Sequence, residues 1–315
     1  MLAASFLVNR SMKTSTGLGS IASEDSPVSA QLHEKASRYA NIELDLLLYG
    51  ETGTGKDTLA KHIHELSGRT GSWVGINCAA IPETLAESQL FGVMSGAFTG
   101  VTQSRMGYIE AAQMGTLYLD EIDSMPLSLQ AKLLRTLESR GIERLGSTTF
   151  IPVDFRVIAS AQRPLGPLVD QGLFRRDLFF RLNALTIQLP ALRTCREQIL
   201  PMFHYFTSVI AEHFNRAVPA LDGHLEWVLL GHAWSGNIRE LRSAAQRFVL
   251  GFPLLGTVGV GITRSTAGLK TQLRLVENEL IKDALKRHQN SIDAVVDELD
   301  IPKRTLYSRM KASCA

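Results

Sequence analysis

Between the apolar run Leu44 to Tyr49 and a helical pattern lies Gly50-Glu51-Thr52-Gly53-Thr54-Gly55-Lys56-Asp57, and this stretch leaves few folds open to the chain around it. Three glycines let the backbone turn its N–H groups inward without Cβ clashes. The helix that follows offers its positive end, and Lys56 reaches toward the outer phosphates of a nucleotide. The spacing matches G-x-x-x-x-G-K-[ST] except at its last position, where Asp57 stands in for the hydroxyl that ordinarily meets Mg²⁺. A carboxylate beside phosphates requires magnesium or a bridging water between them. The expected guest is a triphosphate, and the motif requires strand, loop and helix in that order.

The flanking sequence supplies that order repeatedly. Asp25 to Tyr39 carries Val28, Leu32, Ala36 and Tyr39 at helical spacing after Ser26-Pro27, and Leu44 to Tyr49 reads as a buried strand. The helix opened by the loop runs through Leu59, Ile63 and Leu66 to near Gly68. Trp73 to Cys78 and Phe155 to Ser160 read as further strands, Pro82 to Phe91 and Ser128 to Arg140 as helices. Alternation to Leu189 implies an α/β fold with a parallel sheet, whose ligands sit at the carboxyl ends of its strands. At one such end Leu117 to Glu121 finishes in two acids. Asp120 can hold Mg²⁺ through water, and Glu121 can polarise the water that attacks a γ-phosphate. From Pro190 onward helical periodicity takes over, through Ile199 to Phe214 and Ile238 to Leu250, as expected of a small helical domain.

Composition mainly excludes. The 315 residues leave room for two or three domains, and 33 Lys and Arg against 31 Asp and Glu give +2, so only local clustering can speak for nucleic acid. Cys78, Cys195 and Cys314 lie far apart with no C-x-x-C spacing, which argues against a zinc site or disulfide framework and fits a reducing cytoplasm. Met1 to Ser20 lacks basic residues ahead of the brief apolar stretch Phe6 to Val8, so it reads as a loose tail rather than an export signal. Phe248 to Ile262 is broken by Pro253 and four glycines, short of the roughly 20 residues of a membrane helix. Clustering of charge comes only at the end: residues 302 to 315 carry Lys303, Arg304, Arg309 and Lys311 and no acid.

Between the phosphate loop and the Asp-Glu strand stands Gly96-Ala97-Phe98-Thr99-Gly100-Val101. Glycines at both ends permit a tight projecting loop whose tip exposes an aromatic ring and a hydroxyl, an arrangement that makes sense given a partner. The segment resembles the GAFTGA loop of bacterial enhancer-binding proteins, the AAA+ ATPases that activate the sigma-54 form of RNA polymerase. Leu90-Phe91-Gly92, Gly107 to Ala112 and Gly115 to Asp120 are similar to that family in the same order. The resemblance implies an AAA+ core over residues 21–190, a helical lid over 191–250, a linker over 251–270 and a Fis-type helix-turn-helix over 271–315. It implies ATP and Mg²⁺ on Gly50 to Asp57 with Asp120, and sigma-54 contact by Gly96 to Val101.

Other roles follow by similarity alone. Phe174 to Leu182 is similar to the segment carrying two arginine fingers, which places these on Arg175 and Arg181, supplied to a neighbouring subunit's γ-phosphate. Trp234 to Leu241 looks like the W-P-G-N-[IV]-R-E-L signature, placing the second sensor on Arg239. Asn77 matches the residue that holds the catalytic Glu121 back until nucleotide is bound. The family usually has Thr-Asn where Ala161-Gln162 stands and Ala where Val101 stands, so Gln162 carries γ-phosphate sensing on a longer stem. DNA contact falls on Lys303, Arg304, Thr305, Tyr307, Ser308 and Arg309, with Leu306 and Met310 packing inward.

Only a short tail precedes the ATPase, so control by other molecules is expected. This resembles the Hrp activators of plant-pathogenic bacteria, which act on type III secretion genes. The resemblance then implies upstream DNA and sigma-54 RNA polymerase as partners in the cytoplasm. It also implies a hexameric ring, either of one kind of subunit or shared with a paralogous HrpS-like one. Two other classes remain open to the sequence: an AAA+ remodeller of other proteins, and a non-hydrolysing DNA-binding regulator.

Overall fold

A computed structural model of the chain describes residues 27–98, 101–255, 281, 284–285, 288, 291–306 and 309. The expected tail, most of the linker, and Thr99, Gly100, Tyr307, Ser308 and Met310 lie outside the described residues. Two compact units divide at Leu254.

In the first unit five parallel strands form a sheet in the order β2-β3-β6-β1-β7: β1 (Leu46–Tyr49), β2 (Trp73–Asn77), β3 (Thr116–Asp120), β6 (Arg156–Ala161) and β7 (Leu185–Gln188). β1 lies between β6 and β7, and its four residues are all buried, as expected of a strand covered on both faces. Alternate residues serve the two faces. Leu47 packs with Leu117, Leu119, Val157, Leu133 and Leu137 on one side. Leu46 and Leu48 pack with Leu59, Ile63, Tyr118, Ile158 and Ile187 on the other. Each such side chain stabilises the fold by roughly 1.5–3 kcal/mol, so Leu47→Asp would break both the layer and the strand that launches the phosphate loop.

The helices that cover these faces follow their apolar spacing with ends displaced by a residue or two: Pro27–Ala40, Lys56–Leu66, Glu83–Phe91 and Leu127–Ser139. Buried Arg156, 3% exposed, caps the first of them by donating to the carbonyls of Tyr39 (2.7 Å), Ala40 (3.0 Å) and, beyond it, Leu44 (2.9 Å). A cation at a helix C-terminus meets the negative end of its dipole.

Several short elements carry too little periodicity to be read in advance: helices Tyr108–Ala111, Gly166–Asp170 and Arg176–Leu182, and an antiparallel pair β4 (Gly141–Glu143) and β5 (Phe150–Pro152). Beyond β7 three helices form the lid region, Ile199–His213, Gly223–Gly231 and Asn237–Leu250, of which the middle one was not anticipated. The outer two meet through Phe203 and Phe248, 5.5 Å between ring centres. Fully buried Trp234 donates from Nε1 to the Leu229 carbonyl at 2.8 Å.

In the second unit Ile281, Ala284, Val295 and Leu306 form a small core with Ile292, Val296, Leu299 and Ile301 packed against it. Helix Ile292–Leu299 stops at Asp300, whose φ of 49° is left-handed, and a new helical turn opens at Pro302, whose carbonyl accepts from Thr305 (2.8 Å) and Leu306 (3.2 Å). The expected inward packing of Leu306 is present, at 0% exposure.

Candidate functional site

Strand register assembles the site. Tyr49 pairs with Ala161 and Asn77 with Asp120, so Gly50, Gln162, Asn77 and the Asp120-Glu121 pair all emerge at one end of the sheet. The Gly50 N–H donates to the Ala161 carbonyl at 3.3 Å, tying the phosphate loop to the strand that carries Gln162. Within the loop Gly53 and Gly55 have φ of 80° and 92°, conformations that L side chains rarely adopt. Lys56 is 7% exposed and folds back to donate from Nζ to the carbonyls of Gly50 (2.6 Å) and Glu51 (3.1 Å). Burial pushes its ammonium below the usual lysine range, against the pull of Asp120, Glu121, Asp123 and Asp57. Asp57 sits in the first turn of the helix, exposed and beside Thr58.

Asp120 is oriented by its surroundings. Its Oδ1 accepts from Ser160 Oγ, Tyr118 OH (3.1 Å) and the Glu121 N–H (3.1 Å). Burial first, then the Asp120 charge, drives the Tyr118 phenol far above its usual range, so it stays a donor. Glu121 occupies the left-handed region at φ 54°, and its Oε1 accepts from Gln162 Nε2 at 3.0 Å. Asn77 Oδ1 accepts from the Ala79 and Ala80 N–H groups (2.9 and 3.1 Å), forming an Asx turn at the end of β2 that leaves its Nδ2, the donor a restraint on Glu121 would use, outside the turn.

The lid docks on the phosphate loop through Arg193, which the sequence reading did not single out, and through residues of the 234 to 241 signature. Arg193 forms a two-pronged pair with Glu51, 2.7 and 2.5 Å. Fully buried Asn237 accepts from the Leu192 N–H (2.8 Å) and donates to the Thr52 carbonyl (3.0 Å) and Glu51 Oε2 (3.2 Å). These contacts, Arg193 first and Asn237 second, hold the Glu51 carboxyl at about 2. Ile238 and Arg239 N–H groups reach the Gly53 carbonyl at 3.0 and 3.4 Å, which brings the Arg239 backbone to the loop. A Cβ on Gly53 would lie 2.3 Å from the Gly236 carbonyl oxygen, so this glycine is required by the lid as much as by the turn.

Arg175 and Arg181 are both engaged within their own chain. Arg175 pairs with Asp177 through two contacts, 3.1 and 2.6 Å, on an exposed surface. Arg181 lies 3.4 Å from buried Asp45, an ion-pair distance without hydrogen-bond geometry, at the opposite end of β1 from the phosphate loop.

The Gly96 to Val101 segment is described except for Thr99 and Gly100. Its base is closed by Gly96 N–H to Val101 carbonyl (2.9 Å), and Phe98 is 53% exposed. Gly92 and Gly107 let the two entering strands touch, since a Cβ on Gly107 would lie 2.4 Å from the Gly92 nitrogen. The β4–β5 connection supports the same base. Met94 N–H donates to the Leu145 carbonyl (2.9 Å), and Arg144 joins Glu110 through two contacts, 2.9 and 2.6 Å. Of the expected DNA contacts, Lys303 and Arg304 are exposed, and Thr305 and Arg309 are half-buried.

The comparisons with known proteins agree with this layout. The sigma-54 interaction domain matches residues 22–188, the AAA+ ATPase lid domain 193–252, and the Fis-family bacterial regulatory protein model 272–312. The chain is 63% identical over 279 residues to the pathogenicity locus probable regulatory protein HrpR of Pseudomonas syringae pv. syringae, covering 89% of each. It is 61% identical over 276 residues to HrpS of the same pathovar, covering 88% of this chain and 91% of that one. Among solved structures, NtrX from Brucella abortus in complex with ATP is 29% identical with a TM-score of 0.69, covering 95% of this chain and 69% of that one. Similarity to the Hsp104–casein complex of S. cerevisiae, 17% identical with a TM-score of 0.51, extends to the fold alone. A P-loop joined to its lid, an Asp-Glu strand end and a glycine-bounded aromatic loop thus occur on a chain more than half of which matches one domain model. The chain belongs to the sigma-54-dependent transcriptional activators, AAA+ ATPases with a Fis-type DNA-binding module.

Proposed function

We propose that ATP hydrolysis in a ring of these chains, six in number, drives the loop at Phe98 and Thr99 against sigma-54 and so opens promoter complexes. The observation that carries this reading is Phe98 itself: an aromatic ring left 53% exposed at a loop tip whose base is clamped from two sides. A side chain that costs solvation energy when exposed is retained where a partner covers it.

In this reading the Gly50 to Asp57 backbone cradles the phosphates, and Lys56 exchanges its two carbonyl partners for phosphate oxygens. Mg²⁺, when bound, neutralises charge on the β- and γ-phosphates. The oriented Asp120 suits it, since one carboxylate oxygen takes three donors and the other remains for an ion. Glu121 takes the proton of the attacking water. Arg175 and Arg181 leave Asp177 and Asp45 to reach the neighbour's γ-phosphate, and Arg239 reports phosphate charge to the lid. Exposed Lys303 and Arg304, with Thr305, Tyr307, Ser308 and Arg309, contact upstream DNA. Weak binding by one copy is reinforced by assembly.

The names of the Pseudomonas relatives, pathogenicity locus regulators, support a pathogenicity locus as target, and the same reading takes in the cytoplasm as location and a paralogous HrpS-like chain as ring partner. Three measurements test the reading. ATP turnover per chain should rise with protein concentration and collapse in Arg175→Ala. Phe98→Ala should abolish open-complex formation in a reconstituted sigma-54 transcription assay, and normal transcription from it would remove the loop assignment. Native mass spectrometry, alone and with the paralogue, reads the ring's composition.

A further inference from the structure

We propose that Gln162 is the residue that restrains the catalytic glutamate in this chain, and that the same amide is surrendered to the γ-phosphate when ATP binds. The inference deepens the ATPase reading and rests on it. Gln162 Nε2 donates to Glu121 Oε1 at 3.0 Å. The Glu121 backbone is fixed independently, in the left-handed region and with its N–H on Asp120 Oδ1 and Ser160 Oγ (3.1 and 3.4 Å). With its backbone fixed and Gln162 its side-chain partner among the described residues, the Glu121 carboxylate sits where that amide holds it.

Position explains why the amide can serve two masters. Ala161 closes β6, and its carbonyl accepts the Gly50 N–H, so Gln162 is the first residue past the strand beside the phosphate loop. Gln162 is exposed, and its Nε2 is the side-chain donor that meets Glu121 among the described residues, whereas Asn77 uses its Oδ1 on the turn at Ala79 and Ala80. A glutamine stem exceeds that of asparagine by one methylene, about 1.5 Å. That extra reach lets a residue on β6 span to an acid on β3. An amide donor bonds an anion more strongly than a neutral acceptor, and a γ-phosphate carries more charge than a carboxylate. A triphosphate therefore competes for Nε2 and frees Glu121, whereas a diphosphate leaves the bond intact.

A double-mutant cycle on binding tests this without turnover. Fluorescent ADP and a fluorescent non-hydrolysable ATP analogue, each with Mg²⁺, are titrated into the unmodified full chain, Gln162→Ala, Glu121→Ala and the double variant. Circular dichroism checks the fold of each. Removing Glu121 should tighten the triphosphate analogue more when Gln162 is present than when it is absent, a coupling of about threefold or more. ADP should show additive effects. Gln162→Asn, with the amide kept and the stem shortened, should lose the coupling as Gln162→Ala does. Additive effects for the triphosphate, or full coupling in Gln162→Asn, would overturn the proposal while leaving the nucleotide site standing. Failure of the unmodified chain to bind the triphosphate would overturn the ATPase reading beneath it.

Discussion

Asn237→Ala should undock the lid from the phosphate loop, at a cost that can be worked out group by group. The side chain is 0% exposed and makes three hydrogen bonds, with the Leu192 N–H, the Thr52 carbonyl and Glu51 Oε2. Truncation leaves the Leu192 N–H unpartnered inside the protein, costing roughly 1–3 kcal/mol. The part-exposed Glu51 carboxylate and the carbonyl of exposed Thr52 recover their lost bonds from water. Asn237 also sits at φ 53°, which Asn tolerates and Ala does not, adding about 1 kcal/mol. The sum is about 2–4 kcal/mol, a large fraction of a typical domain's stability.

We expect hydrogen exchange at Leu192, Ile238 and Arg239 to accelerate by one order of magnitude or more in Asn237→Ala. The denaturation midpoint should fall as well. Asn237→Gly separates the contributions, because it relieves the backbone but restores no hydrogen bond. It should recover only about 1 kcal/mol of the loss. A shift of less than about 1 kcal/mol in Asn237→Ala, the size of an ordinary surface substitution, would refute the view that this side chain joins loop to lid.

Other outcomes follow from the same geometry. Gly53→Ala would place a Cβ 2.3 Å from the Gly236 carbonyl oxygen at a φ of 80°, so fluorescent ADP should bind at least about tenfold more weakly. Glu51 is held at about 2, below its reference of 4.5, by Arg193 and then Asn237. A depressed carboxyl stabilises the folded form above its unfolded pKa, so lid protection should be complete above pH 4.5 and decline as pH falls toward 2. Because Glu51 is 43% exposed, solvent screens the pair and the decline is shallow, and Arg193→Ala should flatten the profile measured by hydrogen exchange at acid pH. Arg144→Ala removes both contacts to Glu110 at the base of the aromatic loop. It should lower stability by about 1–2 kcal/mol and reduce sigma-54 activation in transcription assays, with Arg144→Lys recovering only part because it cannot bond in two places.

What the sequence settles about this protein is the chemistry written in contiguous residues. The phosphate loop, the acids closing β3, the glycine-bounded Phe98 loop and the lid signature at 234 to 241 are all local. Glycine torsions, strand ends and helix starts act over a few residues, so their meaning survives without coordinates. The apolar spacing likewise gives the main strands and the long helices to within a residue or two. The three-residue strands β4 and β5 and the helix Gly223–Gly231 carry too little periodicity to show.

Tertiary structure alone decides which distant polar groups meet. Glu51 takes Arg193, 142 residues away, and Glu121 takes Gln162, 41 away. Arg156 finds a helix end more than 100 residues upstream. These choices depend on strand order and register, which place β6 between β1 and β3. Long side chains such as Arg, Gln and Glu have many rotamers and no periodic signal, so only the packed sheet can say which partner lies within reach. Asn77 shows the converse, since its Oδ1 closes a local turn at Ala79 and Ala80, a contact that needs no distant partner.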